Sequence, residues 1–225
     1  MNKLIQTLPV LNTQLMPALF PLMVIVLLLC FSNAMGQAGS KESQKFLEYS
    51  NAAKKSFTEL KTELDSTVAL YNTLLAGEAK KPESTYKKLT KAIGSSEKAA
   101  AKSNSSVEKM QKQAEKVFRE WEKELASYQS EQLKELSTQQ LDASKQRHEA
   151  MTEKMKLVIE ACNPLITSLN EQATFMARDL SPEAMTALQG PAEELNGMAQ
   201  EVIAQIDAVM AAEGQDEAVL DDQAG

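Results

Sequence analysis

Apolar residues recur at alternating steps of three and four from Lys41 onward, and this spacing constrains the fold more than any other feature of the sequence. Such steps place one side chain per turn on a single helix face, so they predict long helices that pack along their length. The first row ends at Gly77, and a second resumes after the Ser84/Thr85 pair. Ser130 and Ser181 are predicted N-caps of the third and fourth helical segments.

Composition and helix length favour an elongated molecule. Aromatic residues make up only 5% of the 225 residues, with eight glycines and seven prolines, which suits long helices better than a sandwich or barrel. A helix over residues 84–127 would be about 65 Å long, whereas a compact domain of this size is about 40 Å across. We therefore expect an all-α fold, an elongated antiparallel helical bundle or coiled coil of three to four long helices.

Two prolines refine this expectation. Pro164 falls inside the third apolar row, which keeps its phase on both sides, so the helix should continue with a kink near Ala161. Gly190-Pro191 should break or kink the fourth helix. Residues 37–212 are thus predicted to form one helical coiled-coil domain, and residues 213–225 an acidic disordered tail.

The N-terminal 36 residues form a separate segment. They carry one charge, Lys3, and an apolar run over residues 15–31, followed by small residues. This order is typical of a secretory signal peptide, and we expect cleavage between Ala34 and Gly39. The protein would then be periplasmic or secreted. The alternative is an uncleaved N-terminal membrane anchor with the helical domain facing the periplasm.

Charge is unevenly distributed along the chain. Residues 80–123 contain 12 basic and 6 acidic residues, whereas residues 179–225 contain 11 acidic residues and no basic one. One interpretation is complementarity between a basic and an acidic helix of the same molecule. The other is a basic face that binds anionic lipid or a wall polymer.

No catalytic constellation stands out. The glycines form no phosphate-binding cluster, and Lys145 occupies the position where a helical di-metal motif needs glutamate before His148. His148 and Cys162 lie 14 residues apart on one row, about 21 Å along a straight helix, so they do not meet within one chain. Trp121 lies in the apolar row of the second helix and is interpreted as a packing residue. We expect no catalytic, cofactor-binding or metal-binding residue, no cofactor, and no nucleic-acid or small-molecule partner.

Several segments are more specific than generic coiled-coil sequence: Phe118-x-x-Trp121-x-x-Glu124-Leu125-x-x-Tyr128, Gln140-Leu141, Ser144-x-x-Arg147-His148, Pro164-Leu165 and Ala184-x-x-Ala187-Leu188-Gln189-Gly190. Together they resemble an uncharacterised bacterial family, domain of unknown function 2959. The resemblance covers Lys41 to about Met210 and implies an exported helical protein. The chain departs from the family at His148, where an aromatic residue such as tyrosine is usual, and it lacks the lipoprotein signal that many members carry.

Three functions follow as hypotheses. The first is a non-enzymatic, exported coiled-coil protein of the bacterial cell envelope that acts through an envelope protein partner, self-association or other envelope contacts. The second is a peripheral binder of anionic lipid or wall polymer through the basic helix 80–123. The third is an enzyme or metal protein centred on His148.

Overall fold

The computed structural model describes the backbone of residues 37–221 and the side chains of residues 41–211. The predicted signal peptide or anchor at 1–36 and residues 222–225 of the predicted tail lie outside the described residues. The helices are α1 (Gln37–Leu75), α2 (Pro82–Leu125), α3 (Glu131–Met176), α4 (Pro182–Ala187) and α5 (Gln189–Asp221). Every regular element of the described chain is helical, as the sequence predicts, but there are five helices rather than three to four.

Local signals explain most helix ends. Gly77, at φ 69°, ends α1 in the left-handed conformation that glycine adopts without strain. The Ser130 hydroxyl accepts a hydrogen bond from the backbone N–H of Leu133 at the start of α3. The Ser181 hydroxyl accepts one from Ala184 in the same way at the start of α4. Both predicted caps are confirmed.

Two predicted boundaries are wrong by a few residues, in each case because of a proline. α2 begins at Pro82 rather than at Ser84, since a proline fits the first helical position, where no N–H bond is lost. The break in the fourth helical segment lies at Leu188, before Gly190-Pro191. Pro191 instead lies in the first turn of α5, where its missing N–H again breaks no helical hydrogen bond. Pro164 lies within the continuous helix α3, as predicted.

Cross-helix hydrogen bonds give the directions of the long helices. Between α1 and α2, Thr67 contacts Ser96 at 2.9 Å, and Gln113 donates to Glu42 at the opposite end of the pair, so the two helices are antiparallel. Between α2 and α3, Trp121 contacts Ser137 and Glu97 contacts Asn170, which again gives antiparallel helices. Consecutive long helices therefore run in opposite directions.

The last helix, α5, packs against the first, α1. Asn72 and Asn196 exchange two hydrogen bonds of 2.9 and 3.1 Å, and the Lys61 ammonium lies 2.5 Å from the Asp207 carboxylate. α5 packs on α1 and α3, while α2 packs on the same two helices from the other side. The basic helix α2 and the acidic helix α5 are therefore diagonal neighbours and not packing partners.

The core consists of the inward apolar rows of the four long helices. Phe57, Leu60, Leu64, Leu89, Val107, Met155, Leu165, Leu169, Leu195 and Ile206 are fully buried. A few polar side chains share this core, and most are hydrogen-bonded there, although the buried Ser103 hydroxyl has no partner among the described residues. The Tyr71 hydroxyl donates to the carboxamide oxygen of Gln172, and the Gln172 nitrogen donates to the backbone carbonyl of Pro191 at 3.1 Å. This polar contact joins α1, α3 and α5.

Candidate binding surface

Trp121 lies where α2 packs against the start of α3. Its side chain is buried, and the indole Nε1 donates a hydrogen bond to the Ser137 hydroxyl at 2.9 Å. A buried tryptophan needs a partner for its N–H, and a small hydroxyl residue on the facing helix supplies one. Trp121 therefore fills the α2–α3 interface, and its one polar atom is turned to the neighbouring helix.

His148 lies between two aromatic rings. Phe46 of α1 and Phe118 of α2 present their rings to the imidazole at centroid distances of 5.7 and 5.8 Å, both close to perpendicular. On its own helix, His148 Nε2 is 3.4 Å from the Thr152 hydroxyl. Edge-to-face contacts of this kind are packing interactions that an aromatic ring could also make. The imidazole thus occupies an aromatic position between three helices.

One side of His148 faces an open cleft between α2 and α3, with a volume of about 260 Å³. Its charged lining comes from both helices: Glu115, Lys145, Glu149, Glu153 and Lys156. Burial lowers the pKa of His148 below its usual value, and the carboxylate of Glu115 acts in the opposite direction. The fold therefore favours the neutral imidazole.

Cys162 lies on α3 like His148, two heptads further along the same helix. Its side chain is fully buried, and the sulfur contacts the Val158 carbonyl at 3.2 Å. Burial raises the pKa of the thiol to about 11, which keeps it protonated at neutral pH. The structure does not bring His148 and Cys162 together within the molecule.

Among the residues whose side chains are described, no group of three or more histidine, cysteine or carboxylate side chains is arranged to hold a metal ion. Within residues 37–221, no helix combines the length and apolar character needed to cross a lipid bilayer.

The most pronounced surface feature is a row of cations along α2, which we call the basic ridge. From Lys88 to Lys123, every position reached by alternating steps of three and four is basic, except Ser95 and Ser105. The nine cations are Lys88, Lys91, Lys98, Lys102, Lys109, Lys112, Lys116, Arg119 and Lys123, and all are exposed. Because this spacing has the same seven-residue period as the core row of α2, the ridge stays on the outer face of the helix over about 52 Å.

The ridge lies on the face of α2 that is turned away from the core. The core row of the same helix, with Leu89, Ser96, Val107 and Ala114, is displaced from the ridge by half a turn. Among the described side chains, only Lys102 of the ridge forms a salt bridge, with Glu59 of α1. The remaining eight cations are exposed and form no salt bridge with another described side chain, although Lys116 is near enough to Glu42 of α1 to lower the pKa of that carboxylate.

Among the residues whose side chains are described, the expected complementarity between a basic and an acidic helix is therefore not observed. α5 does not pack on α2, and its carboxylate Asp207 pairs with Lys61 of α1. The physical reason is topological, because alternating helix directions bring α5 against α1 and α3. The excess of basic residues in 80–123 was noticed in the sequence, but their spacing by steps of three and four was missed. That spacing is visible in the sequence and would have predicted a continuous ridge.

No curated protein and no solved structure matches the chain. The model of one family, described as protein of unknown function (DUF2959), matches residues 31–216, which is most of the chain and includes all the segments that carry the sequence resemblance. The chain belongs to this family of unknown function.

Proposed function

We propose that the protein is an exported, non-enzymatic component of the bacterial cell envelope that acts by binding other envelope components. In this proposal the four long helices form an elongated antiparallel bundle of the coiled-coil type. The bundle serves as a rigid support for its outer faces. The N-terminal segment directs the chain to the periplasm or beyond, either as a cleaved signal peptide or as an anchor.

The observation that carries the proposal is the basic ridge. Exposed lysines that are not paired within the molecule carry no stabilising role in the fold, and a row of them repels itself. Their strict spacing over ten helical steps therefore favours a role outside the molecule. The packing positions of His148, Cys162 and Trp121 support a scaffold in the same way, since each makes contacts that a core residue makes.

A salt-extraction experiment tests the proposal. Envelope fractions are washed with increasing salt, and release of the protein is followed by immunoblotting. A protein held through its ridge is released at moderate salt, because counterions compete with the bound anion. If the protein is recovered entirely in the soluble fraction at low salt, envelope binding is refuted. N-terminal sequencing of the same material tests export: a start between Ala34 and Gly39 indicates a signal peptide, and Met1 an anchor.

The second candidate function is peripheral binding of anionic lipid or wall polymer through α2. The same ridge favours it, and it specifies the ligand that the first function leaves open. In a third case, the envelope partner of the protein is a second copy of itself. Sedimentation of the purified protein over a range of concentrations separates self-association from binding to another component.

A further inference from the structure

We infer that the basic ridge of α2 binds one extended, linear polyanion lying along the helix axis. This inference rests on the proposed envelope-binding function and names the partner by its chemistry: a flexible chain with regularly spaced phosphate or carboxylate groups. A lipid surface is the competing ligand, because it also presents many anions. Four features of the structure favour the linear chain.

The first feature is the width of the ridge. Its cations occupy two adjacent rows of a single helix, and the rows are separated by about 60° around the helix axis. The first row contains Lys91, Lys98, Lys112 and Arg119, and the second contains Lys88, Lys102, Lys109, Lys116 and Lys123. With nine cations over about 52 Å, neighbouring charges are on average about 6.5 Å apart along the axis. This surface is long and narrow, like the backbone of a single polymer chain.

The second feature is an acidic border along the C-terminal half of the ridge, on the side of α3. Glu108, Glu115 and Glu122 follow one another at seven-residue spacing on α2. Glu122 pairs with Lys145 of α3 at 2.5 Å, and Glu115 lines the cleft beside His148, so this row lies between the ridge and α3. A flat anionic surface that contacted the ridge would also approach these carboxylates.

The third feature is the border on the side of α1. Lys102 pairs there with Glu59, so the ridge meets a carboxylate on this flank as well. The ridge is therefore bordered by a carboxylate on the α1 flank and by carboxylates on the α3 flank. A planar membrane would approach these carboxylates together with the ridge, whereas a single chain that lies along the helix axis contacts mainly the ridge cations.

The fourth feature is the composition of the exposed apolar residues. Helices that bind lipid surfaces commonly insert large apolar side chains next to their basic residues. Among the described side chains, the exposed large apolar ones all lie on α1 and α3: Leu47, Tyr49, Leu133, Leu136, Leu157 and Phe175. The ridge itself presents only lysine, arginine and serine. Its interaction is thus purely electrostatic.

The test compares two matched triple variants of the full chain. The ridge variant is Lys98→Gln, Lys109→Gln and Lys112→Gln. The control variant is Lys55→Gln, Lys134→Gln and Lys154→Gln, which removes three exposed lysines from α1 and α3. Both variants change the net charge equally, and glutamine keeps helix propensity close to that of lysine. Circular dichroism and thermal unfolding establish that both fold like the parent protein.

The probe is linear inorganic polyphosphate carrying a fluorescent label, and binding is measured by anisotropy over a range of salt concentrations. The ridge variant should bind roughly a hundredfold more weakly near 0.1 M salt. The slope of its log affinity against log salt concentration should be smaller in magnitude by about two, because three fewer charges are neutralised. The control variant should bind like the parent. The affinity per polymer chain should rise with polymer length until the polymer spans the ridge, and should not rise further for longer polymers.

Each alternative has its own result. Binding to vesicles of anionic lipid but not to polyphosphate overturns the linear-ligand inference and leaves the envelope-binding function in place. Equal loss of polyphosphate binding in the two variants shows that only net charge matters, and it overturns the assignment to the ridge. If the ridge variant abolishes self-association of the pure protein and neither probe binds, the partner of the ridge is a second copy. A protein that binds neither probe and is not retained by envelope fractions refutes the proposed function itself.

Discussion

Replacing Tyr71 with phenylalanine removes one hydroxyl from the place where α1, α3 and α5 meet. Tyr71 is fully buried, and its hydroxyl donates to the carboxamide oxygen of Gln172. Gln172 is itself buried, and its nitrogen donates to Ser168 and to the Pro191 carbonyl, each at 3.1 Å. The substitution leaves the aromatic ring in place, so it creates no large cavity and isolates the polar contribution.

The expected cost follows from the partner that is left behind. Without the hydroxyl, the carboxamide oxygen of Gln172 stays buried and lacks a donor, so Tyr71→Phe should lower the free energy of unfolding by about 1–3 kcal/mol. Gln172→Leu should cost a similar amount or more, because it leaves the Tyr71 hydroxyl without an acceptor. In the double variant both orphaned groups are absent, and its cost should be smaller than the sum of the single costs by about 1–2 kcal/mol.

Chemical denaturation followed by circular dichroism measures all three values. Tyr49→Phe is the matched control, since it deletes the same hydroxyl from an exposed tyrosine of the same helix and should change stability by less than about 0.5 kcal/mol. The reasoning is refuted if Tyr71→Phe is as mild as Tyr49→Phe. It is also refuted if the costs of the two single variants simply add.

Three further predictions concern the residues that sequence reasoning singled out. Trp121→Ala should lower the free energy of unfolding by about 3–5 kcal/mol, and an unchanged denaturation midpoint would make Trp121 a candidate binding residue again. The fold lowers the pKa of His148, so its contribution to stability is fully present above the unfolded-state pKa of about 6.5 and decreases as the pH falls below that value. His148→Tyr should remove this part of the acid sensitivity when melting temperature is measured against pH. An identical pH profile for the variant and the parent protein would contradict the assignment. The thiol of Cys162, with its pKa raised to about 11, should react with iodoacetamide at neutral pH only after denaturation, and rapid labelling of the native protein would show that it is accessible.

The fold class could be predicted because each long helix follows from local chemistry. A single apolar row per helix specifies one buried face, and Gly77, Ser130 and Ser181 mark helix ends by their own backbone or side-chain hydrogen bonds. The break between α4 and α5 was predicted, but at Gly190-Pro191, and it lies at Leu188 instead. Pro191 fits within the first turn of α5, where its missing N–H breaks no helical hydrogen bond, so the proline lies just inside the new helix and not at the break.

The arrangement of charge could be predicted only in part. Excess base in residues 80–123 is visible in the sequence, and the spacing of the lysines is visible too. Whether that face pairs with the acidic residues of α5 depends on which helices are neighbours, and no local rule fixes this. Similarly, the sequence places His148 in an apolar row, but its two aromatic neighbours, Phe46 and Phe118, come from two other helices.

The central claim is that the protein acts through the basic ridge of α2 and not through chemistry at His148 or Cys162. Complementation of a gene deletion tests it most directly, with exported and folded variants scored side by side for the deletion phenotype. We predict that His148→Gln and Cys162→Ser restore the phenotype fully, as does charge reversal of Lys55, Lys134 and Lys154. Charge reversal of Lys98, Lys109 and Lys112 on the ridge should fail to restore it. The claim is contradicted if the ridge variant complements normally while either the His148 or the Cys162 variant behaves like the deletion.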